Sequence, residues 1–167
     1  MSPTRRYRFR PVRRDDRDLL MRWQRADHVR RWWGTGDPLS DQDLADTRVA
    51  RWIVSQDDRP FAYMQDYDVH GWADHHFAHL PAGSRGIDQY IGVADMLGAG
   101  HGPGFMNQHL HTLFAKGAPV IATDPHPENA RAIAAYRKCG FAPAGPPQDT
   151  PWGRILPMTT QREPDTS

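Results

Sequence analysis

The segment from Gly86 to Phe105 (GIDQYIGVADMLGAGHGPGF) constrains the fold more than any other part of this chain. It begins with β-branched and aromatic residues that are typical of a strand, including Ile87, Tyr90 and Ile91. Four glycines then fall within seven positions, at 98, 100, 102 and 104, before a helical pattern. A strand that passes through a glycine-rich turn into a helix N-terminus offers backbone amides to an anion. The segment therefore predicts an anion-binding site.

Two residues of this segment carry further information. Pro103 fits the first position of the helix, since its missing amide proton costs nothing there. Asp88 interrupts an otherwise apolar strand, and a carboxylate in that setting is either solvated at a sheet edge or functional. A dinucleotide-binding fold is disfavoured, because it needs an acidic residue about 20 positions further on and a place early in the chain. A P-loop is excluded, because no Gly-Lys-Ser/Thr follows the glycines.

The distribution of charge favours a cationic ligand. Residues 37–95 carry eleven Asp against four Arg, whereas residues 1–36 carry eleven Arg against four Asp. An acidic surface attracts cations by electrostatic focusing, but solvated loop carboxylates explain the same count, and both interpretations stay open. The N-terminal Arg residues alternate with Tyr7, Phe9 and Pro11 in a strand-like pattern, so they do not predict an arm that binds nucleic acid.

Length and composition predict one domain over residues 1–167, with a core at 7–161 and a frayed tail at 162–167. No apolar run approaches the roughly 20 residues of a membrane span, and the basic N-terminus lacks the apolar stretch of a signal peptide. The single Cys139 fits a reducing cytoplasm. We therefore expect a cytoplasmic protein, monomeric or homodimeric, with no nucleic-acid or membrane partner.

Four histidines and one aspartate lie between His70 and His79. Their spacing, H-x4-H-H-x2-H, matches no standard set of metal ligands, and a flexible loop fixes ligand geometry poorly. We expect solvated loop histidines, some of them lining a pocket, and no metal site.

Periodicity predicts a mixed α+β domain with a mainly antiparallel sheet of about six to seven strands flanked by helices. Asp15 or Asp16 is expected to cap the first helix, and Asp43 to complete a capping box with Ser40. The expected strands are 7–12, 51–56, 61–69, the segment from 86, 120–123, 141–145 and 154–161, and the expected helices are 19–25, 28–33, 41–44, 105–114 and 129–139.

Two motifs resemble those of the GCN5-related N-acetyltransferase (GNAT) family. Leu97-Gly98-Ala99-Gly100-His101-Gly102 is similar to the family's pyrophosphate motif, Arg/Gln-x-x-Gly-x-Gly/Ala. The family's second motif has the pattern N-x-x-A-x-x-x-Y-x-K-x-G-F. It is closely resembled by residues 129–141 of this chain, Asn129-Ala-Arg-Ala-Ile-Ala-Ala-Tyr136-Arg-Lys-Cys-Gly140-Phe141. The resemblance covers about residues 7–161 and implies the GNAT fold with splayed central strands and acetyl-CoA as cosubstrate. It implies cofactor contacts at Ile91, Gly92, Val93, Gly98, Ala99, Gly100, His101, Gly102, Gly104, Asn129 and Tyr136.

Within that family, three segments look like those of aminoglycoside 6'-N-acetyltransferases: Gly86–Gly92, Thr123–His126 and Trp32-Trp33-Gly34. The resemblance implies that Asp88 contacts the substrate amines and helps to activate one of them. It implies substrate contacts at Trp32, Trp33, Tyr67, Asp88 and Asp124, although core packing explains the tryptophan pair equally well. Leu97 and Pro103 depart from the family pattern, which affects the donors to the phosphates and not the outline of the site.

The resemblance implies transfer of an acetyl group to an amine of an aminoglycoside-like polycation in a ternary complex. Asp88 is expected to accept the proton of the ammonium, an amide near Ile91–Val93 to bind the thioester oxygen, and Tyr136 to protonate the thiolate. Two other functions stay open, namely acetylation of a lysine-derived, siderophore-precursor or protein N-terminal amine, and a non-catalytic acetyl-CoA-binding module. The acidic balance of 37–95 favours a polycation over a single amine.

Overall fold

A computed structural model describes residues 6–162 of the chain. Within that range the strands are β1 (Arg8–Pro11), β2 (Val49–Gln56), β3 (Arg59–Asp68), β4 (Arg85–Ile91), β5 (Val120–Thr123), β6 (Ala142–Pro143), β7 (Gln148–Thr150), β8 (Gly153–Ile155) and β9 (Met158–Gln161). The helices are α1 (Arg17–Arg25), α2 (Asp27–Trp33), α3 (Asp41–Ala45), α4 (His101–Ala115) and α5 (Ala130–Lys138). No helix in the described range has the length and apolar character that a bilayer crossing requires. The predicted tail lies outside the described residues, apart from Arg162.

Seven strands form one sheet in the order β1-β2-β3-β4-β5-β9-β6, and β7 with β8 forms a separate hairpin. The pairs β1–β2, β5–β9 and β6–β9 are antiparallel, and β4–β5 is parallel. A two-residue turn with positive φ at Asp57 and Asp58 joins β2 to β3. The predicted α+β class and mainly antiparallel sheet are confirmed.

The parallel strands β4 and β5 pair over a short stretch. Their backbone pairing ends at Gly86 and Ala122. The next contact is made by a side chain, since the hydroxyl of Thr123 donates a hydrogen bond to the carbonyl of Ile87 at 3.0 Å. Since β5 ends at Thr123 while β4 continues to Ile91, the splaying of the central strands stays a prediction.

The chain forms two compact units. The first comprises the residues up to Asp66 together with Gln89–Phe105, and the second comprises Tyr67–Asp88 together with the residues from Met106 onward. The single domain expected over 1–167 stays a prediction. The core of the first unit includes Leu20, Trp23, Leu39, Ile53 and Tyr63. That of the second includes the fully buried Val69, Phe77, Ile87, Ile121 and Met158.

The helix caps follow the predictions in part. At α3 the capping box is present, because Ser40 Oγ accepts from the amide of Asp43 at 3.1 Å and Asp43 Oδ2 accepts from the amide of Ser40 at 2.9 Å. Asp16 occupies the N-cap of α1 but makes no capping hydrogen bond to that helix. Its carboxylate instead accepts two bonds from the Arg10 guanidinium, at 2.7 and 2.8 Å, and one from the amide of Arg13 at 2.7 Å.

The position predicted for Pro103 is wrong. Since α4 begins at His101, Pro103 is its third residue. The amide of Gly104 makes the first intrahelical bond of this turn, to the carbonyl of Gly100 at 3.2 Å. Pro103 therefore still lies in the first turn, where helix geometry provides no acceptor for an amide proton.

The C-terminal strand predicted over 154–161 is also wrong, because it is two strands, β8 and β9. Leu156 and Pro157 separate them, and their backbone groups bond elsewhere: the amide of Leu156 donates to Pro125 and the carbonyl of Pro157 accepts from Ala144, both at 2.8 Å. The loop predicted over 146–152 contains β7, which pairs with β8.

Candidate active site

Two carboxyl groups meet in the second unit, Asp88 on β4 and Asp124 directly after β5. A hydrogen bond with Asp88 is one of the influences on the pKa of Asp124, so the two side chains lie close together. Burial raises the pKa of Asp124 to about 6, and the bond from Asp88 acts in the opposite direction. A hydrogen bond to the ionised form of a carboxyl group lowers its pKa.

Asp124 has a second partner, His76. The Nε2 atom of His76 lies 2.9 Å from Oδ2 of Asp124, and the two side chains are 6% and 16% exposed. Burial lowers the pKa of His76, against a smaller raising effect of Asp88. At neutral pH the imidazole is therefore neutral, and the contact is a hydrogen bond and not an ion pair.

Tyr67, at the end of β3, borders the two carboxyl groups. Burial raises its pKa well above the ordinary value, and the nearby charges of Asp124 and Asp88 raise it further. Its ring packs on the backbone of Gly86, where a Cβ atom would overlap the ring atom Cζ. This close approach explains the glycine at the second position of β4, and it fixes the ring beside the carboxyl groups.

An aromatic cluster surrounds Tyr67 and the histidines. Trp72 and His75 pack against the Tyr67 ring, with centroid distances of 5.6 and 5.3 Å. The rings of His75 and His76 stack at 4.1 Å and 23°. Trp152, in the β7–β8 turn, packs against both histidines although it is itself 61% exposed.

The expectation of solvated histidines in the 70–79 loop is wrong for two of the four. His75 is 8% exposed, and burial together with the adjacent His76 lowers its pKa to about 4. His70 and His79 are exposed. Within residues 6–162, no three His, Cys, Asp or Glu side chains are grouped as metal ligands would be.

Two residues of the second motif lie on α5, also in the second unit. Tyr136 is buried, packs edge-on against Phe141, and raises the pKa of Tyr67 by a small amount, so its hydroxyl lies within electrostatic range of that residue. Asn129 is the N-cap of α5, where its side chain accepts a bond from the amide of Ala132 at 3.3 Å. The asparagine of this motif therefore has a structural role whatever it contacts in addition.

The glycine-rich turn lies in the first unit. Gly98 and Gly100 have φ values of 72° and 81°, which side chains rarely tolerate, and both are exposed. His101 begins α4 with its side chain buried, its Nδ1 lying 3.0 Å from the hydroxyl of Tyr7. Any ligand contact at His101 must therefore come from its backbone. An exposed turn that opens into a helix N-terminus fits a pyrophosphate group.

One predicted oxyanion donor is wrong. Among the residues 91–93, the amide of Gly92 already donates to the carbonyl of Phe61 at 2.7 Å. The carbonyl of Ile91 accepts from His28 Nε2 at 2.7 Å. A donor to a ligand from this stretch is thus restricted to the amides of Ile91 and Val93.

The tryptophan pair closes α2 in the first unit. Trp33, 37% exposed, packs edge-on against Tyr90 and Tyr63, with centroid distances of 5.0 and 5.9 Å. The guanidinium of Arg31 lies over the ring of Trp32, with its Cζ atom 4.7 Å from the ring centroid. Trp33 is consistent both with core packing and with a substrate contact, because it joins an aromatic cluster and keeps part of its surface exposed.

The second unit therefore brings together Tyr67, Asp88, Asp124 and Tyr136 among the predicted residues, and it adds Trp72, His75, His76 and Trp152. Two adjacent carboxyl groups attract a cation, and aromatic rings bind the faces of sugars and cations. Signals for the added residues were weak, since the histidines lie in a loop without periodicity and Trp152 lies in a predicted loop.

Comparison with known proteins agrees with this chemistry. A family model described as an acetyltransferase (GNAT) domain matches residues 13–148. An aminoglycoside N(6')-acetyltransferase type 1 of Klebsiella pneumoniae is 32% identical over 160 residues, which cover 89% of this chain and 79% of that protein. A kanamycin resistance protein of Rhizobium radiobacter is 39% identical over 82 residues, 48% of this chain and 75% of the relative. The crystal structure of aminoglycoside acetyltransferase AAC(6')-Ib with coenzyme A and kanamycin superimposes with a TM-score of 0.85, at 30% identity, over 95% of this chain and 96% of that one.

Proposed function

We propose that this chain, which belongs to the acetyltransferase (GNAT) family, transfers the acetyl group of acetyl-CoA to the 6'-amine of an aminoglycoside. The observation that carries the proposal is the close pair of carboxyl groups Asp88 and Asp124 in an aromatic surrounding, with His76 Nε2 2.9 Å from Asp124 Oδ2. Its relatives at 30 and 32% identity are aminoglycoside acetyltransferases. The reaction takes place in the cytoplasm without a nucleic-acid or membrane partner, and the protein acts as a monomer or homodimer.

The carboxyl pair selects the acceptor by charge. An aminoglycoside carries several ammonium groups, and the adjacent carboxyl groups of Asp88 and Asp124 attract them. Tyr67 keeps its hydroxyl proton because its pKa is raised, so it remains a hydrogen-bond donor or acceptor for the sugar. Trp152 presents an exposed indole face next to these groups, and Trp33 presents one in the first unit.

Asp88 and Tyr136 move the protons of the reaction. The nitrogen forms a bond to the acetyl carbon while the carbon–sulfur bond breaks, and the ammonium loses two protons in the process. Asp88 accepts the first and passes it to solvent. Tyr136 gives its proton to the departing thiolate and regains the second, for which a tyrosine hydroxyl with an ordinary pKa of about 10 is suited at neutral pH. Because a carboxylate stabilises a bound ammonium, Asp88 takes the proton only as the nitrogen attacks.

Backbone groups hold the cosubstrate. Acetyl-CoA supplies the acetyl group in activated form as a thioester. In the first unit, the turn from Gly98 to Gly102 contacts its pyrophosphate through backbone amides. In the second unit, Asn129 and Tyr136 provide further contacts to the cosubstrate. The amide of Ile91 or Val93 donates to the thioester oxygen, since that of Gly92 is engaged.

The experiment is a turnover assay with a matched set of amines. Release of free thiol from acetyl-CoA is followed with kanamycin, with an aminoglycoside that has a hydroxyl in place of the 6'-amine, with lysine derivatives and with a peptide N-terminus. We expect kcat/KM to be highest for kanamycin, acetylation at the 6'-nitrogen by NMR of the product, and at least a hundredfold loss for the 6'-hydroxyl compound. A higher kcat/KM for a lysine derivative, or no turnover with any amine, would contradict the proposal.

A further inference from the structure

The carboxylate of Asp124 is held from a second side by a histidine that the proposed reaction does not use. His76 belongs to the segment between β3 and β4, and its Nε2 lies 2.9 Å from Asp124 Oδ2. The two residues are 48 positions apart in the chain, and the His76 side chain is only 6% exposed. A buried contact of this length to a carboxylate is a strong hydrogen bond.

The proton of this bond lies on His76. Within residues 6–162 the other ring nitrogen, Nδ1, is buried and has no hydrogen-bond partner. A proton on Nδ1 would leave a buried N–H without an acceptor and would direct the Nε2 lone pair at a carboxylate, and both are unfavourable. A neutral ring protonated at Nε2 avoids both costs, so we assign this tautomer.

The ring of His76 is held in place by its neighbours. His75 stacks on it at 4.1 Å, Phe77 packs on it at 4.4 Å and Trp152 at 5.8 Å. His75 is itself fixed, because its Nδ1 accepts from the amide of Phe77 at 3.1 Å. His76 therefore cannot turn its donor away from Asp124 without displacing several aromatic rings.

We propose that His76 is a positioning residue of the acceptor site, which orients the carboxylate of Asp124 and keeps it ionised so that the Asp88–Asp124 pair can bind the protonated amines of the acceptor. The inference rests on the proposed function. The titratable groups around Asp124 are Asp88 on β4, Tyr67 on β3, Tyr136 on α5, and His76 with His75 behind it. Of these, His76 is the neutral ring whose N–H donates to Oδ2. Without that donor the carboxylate gains a proton more readily and binds a cation less well.

The first test compares His76→Leu, which removes the donor and keeps an apolar contact, with His76→Gln, which keeps an N–H near the Nε2 position. His79→Leu is the matched control, because His79 lies in the same segment and is exposed. Calorimetry gives the Kd for kanamycin and for acetyl-CoA, and kinetics give kcat/KM for kanamycin between about pH 5 and 9. We expect about tenfold weaker kanamycin binding in His76→Leu with the Kd for acetyl-CoA unchanged, an acid limb of kcat/KM moved to higher pH, and recovery of most of the loss in His76→Gln. His79→Leu should equal the wild type.

Two results would overturn the inference. One is a His76→Leu protein that binds kanamycin as the wild type does with an unmoved acid limb. The other is an equal loss for kanamycin and acetyl-CoA that His76→Gln does not recover, which would indicate a structural role alone.

A second measurement uses the wild-type protein and therefore tests the inference even if His76→Leu does not fold. In the wild-type protein, ¹⁵N shifts of the His76 imidazole report which ring nitrogen is protonated. We expect the Nε2–H tautomer at neutral pH, and an Nδ1–H tautomer would overturn the inference. An enzyme that binds kanamycin with this tautomer but acetylates no amine would contradict the proposed function and leave the role of His76 in binding intact.

Discussion

The ring of Tyr67 lies so close to Gly86 that no side chain larger than hydrogen fits at position 86. Tyr67 is the penultimate residue of β3 and Gly86 lies at the start of β4, so the contact fixes an aromatic residue at the place where the pairing of β4 with β5 ends. The same ring has its hydroxyl within electrostatic range of Asp88 and Asp124. One glycine thus determines the position of a side chain in the proposed acceptor site.

We expect Gly86→Ala to lower stability by about 2–3 kcal/mol, because the added methyl group overlaps the buried Tyr67 ring and cannot be accommodated without moving it. Urea denaturation measures the change. The double variant Gly86→Ala/Tyr67→Leu should recover part of the loss, since leucine leaves room for the methyl group. Strictly additive effects of the two substitutions would show that the two positions are not in contact.

We expect Asp88→Asn to reduce kcat/KM for the aminoglycoside at least tenfold, because asparagine neither attracts the ammonium nor accepts its proton. The KM for acetyl-CoA should change little. Asp74→Asn is the control, since Asp74 is an exposed carboxylate of the same unit. Wild-type kinetics in Asp88→Asn would remove this residue from the mechanism.

We expect Tyr136→Phe to lower kcat by at least tenfold with a small effect on either KM, because the ring still packs against Phe141 while the proton donor is lost. Comparing acetyl thioesters whose leaving thiols differ in acidity tests whether Tyr136 is the proton donor. An acetyl thioester with a more acidic thiol needs less help from an acid, so the deficit of Tyr136→Phe should shrink with such a donor. An unchanged kcat would assign the donation to water or to another residue.

The sequence predicted those features that depend on neighbouring residues. The Ser40–Asp43 capping box, the strand, glycine turn and helix of 86–115, and the buried strand at 120–123 are all encoded within a few positions, and they are present. The resemblance to a family supplied Asp88 and Asp124, and the structure brings the two carboxyl groups together.

Features that depend on distant parts of the chain were not predictable. His76 is 48 residues from Asp124, and its loop has no periodicity that could indicate which histidine faces inward. The amide of Gly92 was expected to be available to a ligand, but the carbonyl of Phe61, 31 positions earlier, accepts its proton. In the same way the carboxylate of Asp16 was expected to cap a helix and instead binds Arg10.

That pair allows a prediction about stability. The carboxylate of Asp16 is largely buried, and its bonds to Arg10 lower its pKa, so the ionised form is favoured by folding. This contribution is present above the ordinary pKa of 3.8 and is lost as the pH falls through the lower folded value. We expect Asp16→Ala to cost about 2 kcal/mol at neutral pH, a figure reduced for the partial exposure of Arg10, and less under acidic conditions. Asp27→Ala, which removes an exposed pair with Arg30, should have almost no effect in the same denaturation experiment.

The ionisation of Asp124 affects stability in the opposite direction to that of Asp16. Its pKa is raised from 3.8 to about 6, chiefly by burial, so the folded protein binds this proton more tightly than the unfolded chain does. The stability gained in this way is complete below pH 3.8 and is lost as the pH rises through about 6, which means that the ionised carboxylate destabilises the protein at pH 7 and above.

The substitution Asp124→Asn removes this buried charge and keeps the hydrogen bonds, because the amide oxygen can accept from His76 while the amide nitrogen donates to Asp88. We therefore expect Asp124→Asn to be more stable than the wild type by about 2 kcal/mol near pH 8, with a difference that shrinks towards zero near pH 4, and to bind aminoglycosides more weakly. Urea denaturation at several pH values measures this, with Asp74→Asn as the control. A constant difference between variant and wild type over this range would mean that Asp124 does not titrate as its burial requires.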